Sequence, residues 1–224
     1  MEQRIKPMKS VVNWLLDILF PRSCISCHIR GEIICDNCIS KIRIAERETD
    51  SNIYALYDYR DPVVKKAIWD LKYHKHRHLG ERLGQLLYEG RIEDISDIRE
   101  YSQGRTIYVV PVPVSRSRGK SRGYNQAEII GKQFCLSEGS GALELRDDFI
   151  VKNIDTIPQA RIANRAKRIQ NIHGAFEVKN FNDIKGRTII IVDDVTTTGA
   201  TLREIMKLFK KFGAKKVVGF TVAH

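Results

Sequence analysis

The run Thr188-Ile-Ile-Ile-Val192 passes directly into Asp193-Asp194-Val195-Thr196-Thr197-Thr198-Gly199-Ala200-Thr201, and this junction restricts the fold more than any other stretch of the chain. Five β-branched residues, four of them apolar, read as a strand buried on both faces, as in a parallel sheet. Its carboxyl end delivers two adjacent carboxylates. A hydroxyl-rich loop with one glycine follows, then an amphipathic helix expected over about Leu202 to Phe212. Strand, tight polar loop and helix N-terminus make a phosphate cradle, because unpaired N–H groups and the positive dipole end face the anion. Thr197, Thr198 and Thr201 add hydroxyl donors, and Gly199 permits close approach of the backbone. Two acids beside a phosphate would repel it unless they hold something else. A vicinal diol, or a magnesium ion carried by a second phosphate group, meets that need. The expected ligand is a phosphorylated sugar. The plainer alternative is a solvated strand end, and both the loop chemistry and the following helix argue against it.

At 224 residues the chain can hold one good-sized core and a small appendage. Its formal net charge of +11 suits anionic partners, pyrophosphate esters or nucleic acid, without choosing between them. The apolar run Val11 to Phe20 is broken by Asn13 and Asp17 and is far shorter than the roughly 20 residues of a membrane span. Pro21-Arg22-Ser23-Cys24 follows where a secretion signal would carry small residues. Trp14, Leu15, Ile18 and Leu19 share one helical face, so a short packed helix and a cytoplasmic protein with no membrane contact are expected.

Cys24, Cys27, Cys35 and Cys38 form two C-x-x-C pairs. The two-residue gap lets both thiolates of a pair reach one metal, and four sulfurs satisfy tetrahedral zinc (Zn2+). Cys135 makes the count odd, which argues against disulfides. A redox pair or plain buried cysteines are the competing readings. Zinc here would be structural, since four sulfurs leave no open position, and would supply much of the module's folding free energy. His28 reads as a bystander.

The remaining pattern places this module in residues 1–45, a polar linker over Glu46 to Asn52, and one larger domain in residues 53–224. Ile53 to Tyr59 reads as a strand, and Asp61-Pro62 opens a helix that carries Val64, Ile68 and Trp69. The segment Lys72 to His78 reads as a basic turn; His74, His76 and His78 lack the carboxylate or thiolate support of a metal site. Leu79 to Tyr88 is helical in pattern, and Thr106 to Val110 is a second apolar strand, stopped by Pro111 and Pro113. A basic, glycine-containing loop follows over Val114 to Gly123. Its Arg116, Arg118, Lys120 and Arg122 could neutralise a pyrophosphate. A helix then runs to about Phe134, short strands lie between Leu143 and Val151, and Val217 to Val222 closes the sheet. Thr156 to Phe176, with Arg161, Arg165, Lys167 and Arg168, reads either as a mobile lid or as a basic surface helix.

With these motifs in view, the chain resembles the ComF family of phosphoribosyltransferase-like proteins. Val192 to Thr201 is similar to the phosphoribosyl-pyrophosphate (PRPP) signature of type I phosphoribosyltransferases. The four-cysteine knuckle after Phe20-Pro21 resembles the family's small zinc module. Val110-Pro111-Val112-Pro113 and Arg122-Gly123-Tyr124-Asn125-Gln126 resemble its first core loop. Gln159, Arg168, Asn171 and Gly174-Ala175-Phe176 resemble its flexible loop. The implied fold is α/β, a type I phosphoribosyltransferase-like parallel sheet flanked by helices, with a small N-terminal zinc-binding module. The resemblance implies that PRPP binds with magnesium (Mg2+) and that Asp193 and Asp194 hold the ribose hydroxyls. It also implies that Val195, Thr196, Thr197, Thr198, Gly199, Ala200 and Thr201 surround the 5-phosphate. Arg116, Arg122 and Arg168 then stabilise the departing pyrophosphate as the phosphoribosyl group passes to an acceptor that the sequence does not name. Lys72 is brought toward the ligand by the same resemblance. The family is associated with DNA uptake and natural transformation, which makes competence and recombination proteins candidate partners. Two other classes stay open: a PRPP-sensing regulator without catalysis, and a single-stranded DNA-binding competence factor using Tyr73, Tyr124 and nearby arginines.

Overall fold

The computed structural model describes residues 22–46, 52–153 and 174–224. The expected helix over Val11 to Phe20 and the expected lid residues Gln159, Arg168 and Asn171 lie outside the described residues. The chain divides into two compact units, Met1–Lys41 and Ile42–His224.

In the second unit the strands, in chain order, are β1 (Ile53–Tyr57), β2 (Ile107–Pro111), β3 (Leu143–Leu145), β4 (Ile150–Lys152), β5 (Phe176–Val178), β6 (Thr188–Val195) and β7 (Lys216–Ala223). Five of them form one sheet in the order β1-β7-β6-β2-β3, and every pairing is parallel. β4 and β5 make a separate antiparallel pair. β6 is central because its sequence tolerates no water: Ile189, Ile190, Ile191 and Val192 are all fully buried. Burying four such side chains contributes roughly 6–12 kcal/mol before chain entropy is counted. The strand is longer than its apolar run. Asp193 pairs with Thr221 and Val195 with Ala223, because β7 continues and keeps offering ladder partners. The two acids are therefore held in the rigid end of a strand, rather than in a loop.

The only helix described in the first unit is α1 (Asp36–Ile39). The second carries α2 (Pro62–Tyr73), α3 (Arg77–Glu89), α4 (Ile92–Tyr101), α5 (Arg116–Arg122), α6 (Gln126–Glu138) and α7 (Ala200–Lys211). Asp61 caps α2 by accepting from the N–H groups of Val63 and Val64, with Pro62 at the first helical position. α7 turns Leu202, Ile205 and Phe209 inward and carries lysines on its last turn. α3 and α6 approach closely at Gly84, where a Cβ would lie 2.4 Å from the Ile130 carbonyl oxygen.

Three expectations change. The basic stretch after β2 is the short helix α5, ending on Gly123 at φ 80°, and not an open loop. Pro111 remains in β2 opposite Val192, and the next N–H, that of Val112, donates to the Val192 carbonyl at 2.9 Å. Proline needs only its carbonyl at such a strand end. α4 went unread, since Ile95 and Ile98 are its sole buried residues and two apolar positions give little periodicity.

The first unit is organised around cysteine. Ser23 bridges Arg30, and the N–H of His28 returns to the Cys24 carbonyl at 2.9 Å. Its described buried apolar side chains are Cys24, Ile34 and Cys38, far too few to hold a fold by burial alone.

Candidate functional site

The end of β6 presents Asp193, then Asp194, which is 7% exposed. The Asp194 N–H donates to Asp193 Oδ1 at 2.8 Å, which turns the first carboxylate back along the strand. Burial, and then the neighbouring Asp194 charge, push the Asp193 carboxyl up to about 7. Across from them, Lys72 on the last turn of α2 places Nζ 2.9 Å from Asp194 Oδ1. Burial works against the Lys72 ammonium; the Asp194 carboxylate outweighs it and, with Asp193, holds the lysine above its ordinary range. The pair sets Asp194 against a cation in a nearly dry setting.

Past Val195 the backbone turns tightly. The N–H of Thr196 donates to the Ala223 carbonyl at 2.9 Å, and the N–H of Gly199 donates to Thr196 Oγ1 at 3.1 Å. Gly199 adopts φ 70°, a left-handed conformation, as the N-cap of α7. The Arg203 side chain donates to the Thr198 carbonyl. Thr196 and Thr198 are buried while Thr197 is exposed. This is the strand, loop and helix start expected of an anion cradle. Beside it opens a cavity of about 520 Å3, whose walls include Asp58, Tyr59, Arg60, Thr196, Thr197 and His224. His224 Nε2 lies 3.0 Å from the Thr197 carbonyl and serves as its donor. Arg60 grips Asp58 at 2.7 Å and, through those hydrogen bonds, holds that carboxyl down at about 2.

The segment after β2 is tied to the same helix end that supplies Lys72. The Tyr124 hydroxyl donates to the Leu71 carbonyl, and the Arg122 guanidinium lies over the Tyr73 ring at 5.5 Å. Arg122 also donates to Gln126 Oε1 at 3.0 Å, and Asn125 caps α6 while its amide reaches the Val112 carbonyl. The structure thus brings together Asp193, Asp194, Thr196 to Thr201 and Lys72, with Arg122 of α5 lying over Tyr73, the residue after the lysine. Arg116 opens α5 through its backbone, whereas Arg168 lies outside the described residues. Lys72 carries no spacing signal of its own, because its partner is far away in sequence. A lysine at the C-terminal turn of a helix, where the dipole already favours it, gives no hint of a carboxylate elsewhere.

In the first unit the Sγ atoms of Cys24, Cys27, Cys35 and Cys38 lie within 4.8 Å of one another, and those of Cys27 and Cys35 are 3.5 Å apart. A tetrahedral ion with bonds near 2.3 Å wants sulfurs about 3.8 Å apart, so the set fits zinc. Burial opposes ionisation of Cys24, but N–H groups of Cys27, Cys35 and Ser26 outweigh it and lower the thiol to about 6. Magnesium fits the β6 acids less directly, because Lys72 already occupies Asp194 Oδ1. It would have to arrive on the ligand's own phosphates. Among the described residues no helix is long and apolar enough to cross a membrane.

Residues 141–224 match the family model described as phosphoribosyl transferase domain. The matched part of the chain contains β6, the loop and α7. The chain's homologues are proteins named for competence and DNA utilization. Competence protein F of Haemophilus influenzae is 36% identical over 110 residues, covering 49% of this chain and 46% of that protein. Competence protein ComFC of Bacillus subtilis is 31% identical over 115 residues, 51% of this chain and 43% of its own length. DNA utilization protein YhgH of Escherichia coli O157:H7 is 27% identical over 183 residues, covering 82% and 74%. The chain therefore spans less than half of the two competence proteins and about three quarters of YhgH.

Proposed function

We propose that this protein binds PRPP at the end of β6 and transfers its phosphoribosyl group to an acceptor with release of pyrophosphate, in the service of DNA uptake. The observation that carries the reading is the adjacency of a lysine-held carboxylate to a loop whose glycine at φ 70° opens a 12-residue helix. Asp193 and Asp194 accept from the ribose hydroxyls, and the Thr196 to Thr201 backbone takes the 5-phosphate. Anchoring at those two points, away from the anomeric carbon, supplies orientation. The bond from the anomeric carbon to the pyrophosphate oxygen breaks with its electron pair leaving on oxygen, while the acceptor's lone pair forms the new bond. Positive charge grows on the ribose, where Asp193 and Asp194 face it. Negative charge grows on the leaving group, where Arg122 and the Arg116 and Arg168 positions supply cations. Magnesium on the pyrophosphate would neutralise part of that charge. The names of the homologues, competence and DNA utilization, motivate the biological setting.

The test is calorimetric titration of PRPP with and without magnesium, followed by a pyrophosphate-release assay on the same sample with a panel of nucleobases and amines. Magnesium-dependent binding with acceptor-stimulated release supports the transferase. Binding without release across the panel favours a PRPP sensor, and absence of binding removes the proposal.

One observation favours an additional single-stranded nucleic-acid reading. Trp69 and Tyr73 are 53% and 55% exposed, with ring centroids 4.4 Å apart. Arg122 lies over Tyr73, and Arg77 lies 5.3 Å over the Tyr124 ring. Exposed rings flanked by guanidinium groups stack bases at about 1–3 kcal/mol each. Trp69→Ala with Tyr73→Ala should weaken single-stranded DNA binding at least 10-fold by fluorescence anisotropy, while an unchanged affinity would move DNA to another surface.

A further inference from the structure

We infer that Lys72 is a positioning residue for the sugar: it holds the Asp194 carboxylate oriented and charged so that a ligand hydroxyl can donate to it. The inference rests on the PRPP reading above and deepens it, naming a residue on a distant helix as part of the same machinery.

The geometry singles out this lysine among its neighbours on α2. Lys66 and His74 turn to Asp70, at 3.5 Å and 2.8 Å, so the helix's own acid is already attended. Lys72 instead reaches across to β6, and its side chain is 22% exposed against 10% for that of Asp194. A lysine gives up much hydration to sit there, and an exposed position on the same helix would have kept it. The exchange makes sense if Asp194 needs a cation more than the helix end does. Asp193 stands beside it with a second carboxyl, and a sugar phosphate adds further negative charge. Without Lys72, Asp194 would lose the cation that aims its carboxylate, and a carboxylate free to turn is a poorer acceptor for a ribose hydroxyl.

The charged and titratable groups around the pair come from several elements. Asp193 and Asp194 lie on β6, Tyr59 follows β1 and acts on Lys72, and Lys152 of β4 acts on Asp193. Among the described residues, Lys72 is the cation that contacts Asp194 directly. Its position is fixed from the other side as well, because the Tyr124 hydroxyl donates to the carbonyl of Leu71, the residue before it.

Two measurements test the inference, the first without any ligand. Carboxyl-carbon NMR titration of the zinc-loaded full chain should show the Asp193–Asp194 pair titrating at least about one pH unit higher in Lys72→Met than in the wild type. Lys72→Arg, which keeps the charge, should titrate like the wild type. An unmoved titration in Lys72→Met overturns the positioning role whether or not PRPP binds. The second measurement is a double-mutant cycle on PRPP and ribose 5-phosphate affinity. Lys72→Met should weaken both ligands roughly 30-fold or more, Lys72→Arg should recover most of that, and Lys72→Met combined with Asp194→Asn should bind no worse than Asp194→Asn alone. Fully additive losses overturn the inference, since Lys72 would then touch the ligand independently of Asp194. Failure of the wild type to bind either ligand overturns the PRPP reading and the sugar's place in this inference, while the titration still decides whether Lys72 governs Asp194.

Discussion

The cysteine knuckle and the end of β6 both gather electron-rich side chains on short turns, yet they reach that arrangement by opposite means. In the knuckle, four sulfurs converge within 4.8 Å on a backbone with almost no apolar support among the described residues. At β6, two carboxylates are delivered by a strand whose Ile189 to Val192 run is fully buried and whose pairing runs through Val195. The first region is organised around four sulfurs that fit a metal ion, the second by the sheet beneath it. A binding site on a rigid strand end can exist before its ligand, and it can therefore hold strain, buried charge and a shifted carboxyl. A knuckle cannot.

Removing metal breaks the comparison most severely. Structural zinc in small modules supplies about 10–16 kcal/mol of folding free energy. Chelation, or Cys24→Ser, should therefore abolish zinc binding and collapse the amide dispersion of residues 22–41, while β6 amides keep their exchange protection. Zinc analysis and hydrogen exchange on one sample check both halves. Purified wild-type protein without zinc would end the metal assignment, and loss of β6 protection would end the independence of the second unit.

The acids come next. Asp193→Asn with Asp194→Asn should weaken PRPP by roughly 100-fold or more, at about 1.5–3 kcal/mol for each hydrogen bond to a charged group. Because the sheet does not depend on these carboxylates, circular dichroism and the cooperative unfolding of the second unit should survive. Retained affinity in the double variant would remove the ribose grip.

A third effect is smaller and runs with pH. The folded Asp193 carboxyl sits at about 7 against an ordinary 3.8, raised by burial and by Asp194. An acid raised on folding favours the folded state below its unfolded value and loses that advantage as pH climbs through its folded value. Ligand-free stability should fall between about pH 4 and 7, by on the order of 2 kcal/mol after coupling to Asp194 and Lys72 is discounted. Asp193→Asn should remove most of this fall. Urea unfolding of the zinc-loaded wild type and variant at pH 5 and pH 8 provides the check, and parallel curves would show that Asp193 ionises as freely as in water.

The two regions also differ in how far they could be read from sequence. The clustering of the knuckle's four cysteines was legible from spacing alone, because tetrahedral sulfur chemistry demands close pairs whatever surrounds them. The β6 acids and threonine loop were legible because a buried strand, an acid pair and a hydroxyl-rich turn stand contiguously in the chain. Lys72 was brought near only by family resemblance, and its contact with Asp194 came from tertiary structure. α5 was missed for a different reason: Arg116 to Arg122 has no apolar face, so its helix is set by the chain around it and by the left-handed Gly123. The extension of β6 through the acids depended on the length of β7, which a local pattern does not contain.

The smallest predicted effect bears on the backbone that makes β6 rigid. Gly199 occupies φ 70° where the loop turns into α7, its N–H bonded to Thr196 Oγ1. An L-residue pays about 1–2 kcal/mol in that conformation. Gly199→Ala should therefore lower second-unit stability by about that amount. If the loop relieves its strain by rotating the peptide, the amides facing the 5-phosphate turn away too. PRPP affinity should then fall by more than stability does, whereas inorganic zinc at the knuckle binds unchanged. Equal stability in Gly199→Ala, with equal PRPP affinity, would mean that the turn is plastic, and that the β6 site waits on its ligand much as the knuckle waits on its metal.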